Sequence, residues 1–291
     1  MKWLITGCKG QLGLTLQIEL ASRNIEFIAV DSTELDITKS QKVDQLVEKL
    51  KPNVIVNTAA WTDVDSAESN KDKAYEVNAI GTNNLAYAAS KFGACLVQIS
   101  TDYVFSGENS DPWTENAVHK PQTIYGYTKS QGEKLLISTL PTNFYIIRTA
   151  WLYSAKRKNF AKMITTKALN ESGEVRVVND QIGQPTFAGD LARQIVDLVL
   201  TEAPSGVYHG TNSGEATWFE FAQEIFKLAS ADILRVVPIS TNELQRPAKR
   251  PAYSVLGHDT WADTKVPVMR DWRLALAEAM PAIITAIKAE E

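Results

Sequence analysis

Lys2-Trp3-Leu4-Ile5-Thr6-Gly7-Cys8-Lys9-Gly10-Gln11-Leu12-Gly13 decides the fold. The first five residues read as a short buried strand. Leu12, Leu16 and Leu20 then recur at helical spacing, so the glycines stand where a strand turns into a helix. Glycine there lets the backbone approach a pyrophosphate, whose charge is favoured by a helix N-terminus. The spacing is Gly-x-x-Gly-x-x-Gly rather than the commoner Gly-x-Gly-x-x-Gly. A tight turn alone would also explain it.

The same alternation continues outward. Glu26 to Val30 is a second strand, and Asp31 at its end is placed to meet the hydroxyls of an adenosine ribose. Asp36 and Ile37 follow, and Thr38 is expected to cap a helix carrying Val43, Leu46, Val47 and Leu50. Val54 to Asn57 is a third strand, with Thr58-Ala59-Ala60-Trp61-Thr62 at its carboxyl end. Open α/β sheets bind ligands at that end, and small residues there let a cofactor pass close. Asp72 to Phe92 reads as one long helix and Cys95 to Ile99 as a fourth strand ending in Ser100-Thr101-Asp102. Phe144 to Arg148 is a fifth. Strands alternating with helices imply a parallel, doubly wound α/β sheet.

Beyond Trp151 the rhythm loosens. Helices are expected over 159–172, 189–200 and 218–228, strands over 175–178 and 206–209, and a last helix over 272–288, kinked or restarted at Pro281. Residues 1–150 form a dinucleotide-binding domain joined by 175–200, and 151–291 form mainly a smaller substrate-binding domain. The basic, proline-rich run Arg246 to Pro251 fits a loop contacting phosphate, with Arg250 as its substrate-binding residue.

Tyr125 and Lys129 lie four residues apart at the start of another helical pattern, so both side chains share one face. A phenol titrates near pH ~10, and an ammonium beside it favours the phenolate. That makes Tyr125 usable in proton transfer. Such pairs also arise on solvated helix faces, and hydroxyls such as Thr101 often serve as caps. Thr101 is alternatively a donor that polarises a carbonyl beside the tyrosine. Trp151, after the fifth strand, either covers the apolar face of a substrate or packs between the domains.

Composition narrows the partners. The chain of 291 residues has 44% apolar and 22% charged residues and a net charge of −4. That charge invites neither nucleic acid nor an anionic membrane. No apolar run reaches the ~18 residues needed to span a bilayer. Cys8 and Cys95 make no disulfide scaffold, and the three histidines are scattered, so a cytoplasmic location and no metal site are expected.

Together these motifs resemble the extended short-chain dehydrogenase/reductase superfamily with its Rossmann-type sheet, and within it the dTDP-4-dehydrorhamnose reductases. Gly10-Gln11-Leu12-Gly13, Asp63-x-Asp65-x-Ala67-Glu68, Ser100 to Phe105, Arg148 to Tyr153 and Arg250-Pro251-x-x-Ser254 carry the likeness. The resemblance implies reduction of a dTDP-4-dehydro-6-deoxysugar at C4 by NADPH or NADH. It implies that Tyr125 protonates the alkoxide, Lys129 lowers the tyrosine pKa and holds the nicotinamide ribose, and Thr101 bonds the sugar oxygen. Thr101, Asp102 and Trp151 would contact the deoxysugar. Gly7, Gly10, Gln11, Leu12, Gly13, Asp31, Asp36, Ile37, Ala59, Ala60, Trp61 and Thr62 would contact the cofactor. Some relatives build a magnesium site at a dimer interface with an acid where this chain has Thr15, so a monomer or weak homodimer is expected. Rival readings are a reductase of another deoxysugar nucleotide and a non-catalytic NAD(P)-binding regulatory subunit. A dehydratase would carry an acid after Asp102, where this chain has Tyr103.

Overall fold

The computed structural model describes residues 1–290. Its centre is a six-stranded parallel sheet. In chain order the strands are β1 (Trp3–Thr6), β2 (Phe27–Val30), β3 (Val54–Asn57), β4 (Cys95–Thr101) and β5 (Phe144–Thr149), with Gly206–His209 added at the edge beside β5. β1 pairs with β2 on one side and β3 on the other. The chain therefore reverses direction across the sheet at β1 and β3, and a crevice opens at their carboxyl ends.

Strand residues alternate between two apolar layers, as the pleat requires. Trp3, Ile5, Val54, Val56 and Val97 face helix α1 (Gln11–Ser22) and the helix Ala188–Leu200. Leu4, Ile55, Leu96 and Ile146 face the opposite layer. That layer holds α2 (Ser40–Leu50), α5 (Thr82–Phe92) and α6 (Ile124–Thr139), with the short helices α3 (Val64–Ala67) and α4 (Lys71–Tyr75) leading into it. A third cluster unites the helices Phe160–Asn170, Trp218–Leu228 and Trp272–Lys288 with the paired strands Val175–Val178 and Val236–Ile239. Of the segment 175–200, the strand thus lies outside the central sheet while the helix covers it. Among the described residues no helix is long and apolar enough to cross a membrane.

Three local expectations are corrected. Thr38 does not cap α2: its N–H and hydroxyl both bond Asp36 Oδ1, closing a turn before the helix starts at Ser40. The expected helix 72–92 is interrupted by a π-helical stretch, Glu76–Gly81. Pro281 does not restart the last helix, which is one element from Trp272 to Lys288 with Ala279, Met280 and Ile283 seated in the third cluster.

Candidate active site

The glycine-rich loop lies against the end of β3. Gly7 has φ +71°, and a Cβ there would stand 2.5 Å from Ala59 N. A Cβ on Gly13 would stand 2.5 Å from Gly7 O. Both positions therefore exclude any side chain. Helix α1 begins after Gly10 with no side-chain cap, which leaves its first N–H groups open to an anion. A cradle without room for Cβ atoms beneath an uncapped helix end fits a dinucleotide pyrophosphate. Leu12 is buried in the core and Thr15 bonds back to Gln11 O.

Gln11 surprises. Its side chain reaches the second half of the chain, accepting from Ser154 Oγ at 3.1 Å and Asn159 Nδ2 at 2.9 Å, and donating to Leu152 O at 3.5 Å. Its backbone alone remains for the cofactor loop. Asn159 caps the helix Phe160–Asn170, so the amide ties the glycine loop to that helix's start.

Asp31 is fully engaged. Oδ1 accepts from Thr33 N at 2.7 Å and Thr33 Oγ1 at 2.6 Å, and Oδ2 pairs with the exposed Lys9 ammonium. Lys9 first, then Thr33, holds its carboxyl well below the usual carboxylate range. Asp36 is committed to Thr38, while Ile37 is buried beneath Gly81.

The loop after β3 is fixed by Asn78, from the π-helical stretch. Its Oδ1 accepts Trp61 N–H at 2.8 Å, and its amide donates to Trp61 O at 3.1 Å and Thr128 Oγ1 at 3.0 Å. Ala59 N–H donates to Asn57 Oδ1, and Thr62 stays exposed. Asn78 thus joins this loop to α6. Sequence periodicity misses it, because only an irregular turn aims the amide at both partners.

Helix α6 carries Tyr125 and Lys129 on its inner face. Thr123 caps it through Gly126 N, and Glu68 Oε1 accepts Ile124 N–H at 2.9 Å, a second role the sequence does not reveal. A Cβ on Gly126 would meet Tyr103 O at 2.1 Å, so this glycine lets the helix press onto the end of β4. Lys129 is 4% exposed and donates to Ile99 O. Burial pulls its ammonium down to about 8, with Glu133 one turn on pulling the other way. Burial favours neutral Glu133, yet Arg148 wins and holds it below its ordinary value through bonds of 2.8 and 3.1 Å.

Thr101 ends β4, and its hydroxyl lies beside the Tyr125 phenol. Burial pushes the phenol up to about 12. The expectation that Lys129 brings the phenol toward neutrality is thus corrected: desolvation dominates, and the ammonium is turned to a backbone carbonyl. Asp102 is buried, and its carboxyl is pushed up to about 6 by that burial.

Two predicted substrate residues have other attachments. Trp151 adopts φ +46° and stacks on Trp218 with ring centres 3.5 Å apart. Gly183 supports its ring, since a Cβ there would lie 2.6 Å from it. Arg250 pairs with Asp65 Oδ2 at 2.8 Å and donates to Ala248 O, and Asp65 also accepts Ala248 N–H. The structure therefore gathers Thr101, Asp102, Tyr125 and Lys129 between β4 and α6. It places the glycine loop and the Ala59–Thr62 segment at the switch point, and ties Arg250 to α3.

A family model described as the RmlD substrate binding domain matches residues 1–284. A dTDP-4-dehydrorhamnose reductase of Streptomyces griseus is 44% identical, covering 97% of this chain and 94% of that one. A dTDP-4-keto-6-deoxy-D-glucose reductase of Streptomyces niveus is 43% identical, covering 96% of each. A crystal structure of dTDP-4-dehydrorhamnose reductase from Bacillus anthracis in complex with NADP superposes with a TM-score of 0.92 at 39% identity. It covers 96% of this chain and 98% of that one.

Proposed function

The chain belongs to the family described as the RmlD substrate binding domain, and on that premise we propose that it reduces dTDP-4-dehydro-L-rhamnose at C4 to dTDP-L-rhamnose, using NADPH or NADH. The observation that carries this reading is the meeting of Thr101 with Tyr125 and Lys129, at the end of β4 and on α6 of the same sheet whose glycine loop is open to a pyrophosphate.

When bound, the reduced nicotinamide supplies hydride to the carbonyl carbon. The chain does the rest. Backbone groups of Gly7, Gly10, Gln11, Leu12 and Gly13 hold the pyrophosphate. Asp31, Asp36 and Ile37 would hold the adenosine end of the cofactor, and Ala59, Ala60, Trp61 and Thr62 its middle. Lys129 holds the nicotinamide ribose. Tyr125 gives its proton to the C4 oxygen, and the raised phenol pKa keeps that proton available throughout the neutral range. Thr101 donates a hydrogen bond to the same oxygen, where negative charge grows. Asp102, Trp151 and Arg250 belong to the substrate side. Residues 1–150 form the cofactor domain and 151–291 mainly the substrate domain, with the helix 188–200 returning to the cofactor side. The enzyme works in the cytoplasm as a monomer or weak homodimer, without metal, nucleic acid or membrane.

A second reading stands beside it. The Streptomyces niveus relative, named for another deoxysugar, is 43% identical against 44% for the Streptomyces griseus reductase. Oxidation of NADPH and NADH with a panel of 4-keto nucleotide sugars differing in base and ring configuration tests both. Turnover is expected to be fastest with dTDP-4-dehydro-L-rhamnose and lost in Tyr125→Phe. Cofactor binding without turnover of any sugar would leave only the non-catalytic reading.

A further inference from the structure

Thr101 has one hydrogen to give, and Asp102 receives it. Thr101 Oγ1 lies 2.9 Å from Asp102 Oδ1 and accepts the Tyr103 N–H at 3.2 Å. A hydroxyl donates once, and an ionised carboxylate only accepts. Facing a charged Asp102, Thr101 is therefore an acceptor to every other neighbour, the Tyr125 phenol included. In that state it cannot donate to a carbonyl.

Asp102 Oδ2 is buried, and the buried Ser254 hydroxyl beside it is the side-chain donor it has apart from Thr101. Burial disfavours the charge most, and it outweighs the hydrogen bonds from Thr101, Ser254 and the backbone N–H groups of Asp102 and Tyr103 that favour it. A neutral carboxyl suits the same pocket better: one oxygen donates to Thr101 Oγ1 and the other accepts from Ser254.

We propose that Asp102 is a positioning residue that acts as a neutral carboxylic acid, its proton turning the Thr101 hydroxyl away from Asp102 and onto the C4 carbonyl oxygen beside Tyr125. The inference rests on the reading of Thr101 and Tyr125 given above. Only proton positions change: Asp102 donates to Thr101 Oγ1, Thr101 donates to the carbonyl oxygen, and Tyr125 is released from Thr101 to do the same.

Burial already pushes the Asp102 carboxyl up to about 6. A raised carboxyl is neutral below that value and ionises as the pH climbs through it, so the Thr101 donor is lost with rising pH. The groups facing Asp102 are the Tyr103 and Tyr125 phenols, both held high by burial, and Ser254. Arg250, paired with Asp65, acts on Tyr103 from beyond. Lys129 on α6 titrates higher, at about 8.

The test compares wild type with Asp102→Asn, whose amide always donates to Thr101 and whose carbonyl always accepts from Ser254. kcat with saturating NADPH and dTDP-4-dehydro-L-rhamnose is measured from about pH 5.5 to about pH 8. The ratio of Asp102→Asn to wild type cancels the titrations of Lys129 and Tyr125 and is expected to rise by about tenfold or more across the range. A flat ratio overturns the proposal, as does Asp102→Asn falling as low as Asp102→Ala at every pH. Thr101→Val separates the two layers of argument. Wild-type turnover in that variant defeats the reading of the site, whereas slow turnover with a flat ratio defeats this inference alone. If Asp102→Asn does not fold, infrared spectra of the wild-type enzyme take its place. A carboxylic C=O band that disappears between the same two pH values is expected, and its absence at the lower one counts against the proposal.

Discussion

Asn78 grips the backbone of Trp61 twice, accepting its N–H at 2.8 Å and donating to its carbonyl at 3.1 Å. The two residues stand seventeen positions apart, and the π-helical stretch Glu76–Gly81 brings them together. The bonds fix the path of the chain where it leaves β3, beside the cofactor crevice. Asn78→Ala leaves a backbone donor and acceptor unpaired, at a cost of about 1–3 kcal/mol. The expected result is weaker NADPH binding in a fluorescence titration, with kcat at saturating cofactor less affected. Unchanged cofactor affinity would show that the loop holds itself.

Lys129 gives a pH signature opposite to that of a surface lysine. Burial lowers its ammonium from 10.5 to about 8. The unfolded chain therefore holds the extra proton between those values, so unfolding becomes harder as the pH rises across the window. Below about 8 the buried charge costs stability in full. Lys129→Met should raise the thermal midpoint at neutral pH, by up to about 3 kcal/mol in stability, and lose that advantage toward pH 10.5. The same variant should have almost no turnover. Thermal scans at several pH values decide it: a gap that does not shrink with pH contradicts the assignment.

Lys9 lies on Asp31 and is otherwise exposed. An ammonium at this point is free to swing toward a phosphate on the adenosine ribose, whereas Asp31 relieved of it can accept from a free hydroxyl. Lys9→Ala is therefore expected to lower kcat/KM for NADPH by about tenfold while leaving NADH unchanged or better served. Parallel kinetics with the two cofactors measure it. Equal losses for both would remove Lys9 from cofactor choice.

What the sequence reveals here is what repeats locally. Leu12, Leu16 and Leu20 mark α1 by their period, and the spacing of Tyr125 and Lys129 predicts a shared face that α6 supplies. The glycines mark a turn because no other residue fits Gly7 or Gly13. Contacts between distant segments leave no such trace. Gln11 meets Ser154 and Asn159 across more than a hundred residues. Arg250 is taken up by Asp65 in the same way, and neither pairing has a period to read. The pKa of Tyr125 follows the same logic. Spacing predicts the ammonium beside it, but burial, a property of the whole fold, sets the direction.

Trp151 is held from two sides, by the face of Trp218 and by the bare Cα of Gly183. Its backbone is in the left-handed region, which disfavours residues other than glycine, so the surrounding packing keeps it there. That combination separates the two roles open to the ring. If Trp151 only packs the substrate lobe, shifting it costs stability alone. If it covers the apolar face of a 6-deoxysugar, a shift of about an ångström also spoils the alignment of the carbonyl. Gly183→Ala supplies that shift while keeping the tryptophan, because the added Cβ would stand 2.6 Å from the ring. Overpacking of this kind costs about 1–3 kcal/mol. The expected outcome is a modest drop in the thermal midpoint together with a fall of about tenfold or more in kcat/KM for the sugar. The Kd for NADPH should stay unchanged. Trp218→Ala, which loosens the ring from its other face, should show the same split. A lower midpoint with full efficiency per folded molecule in both variants would make the stack purely structural.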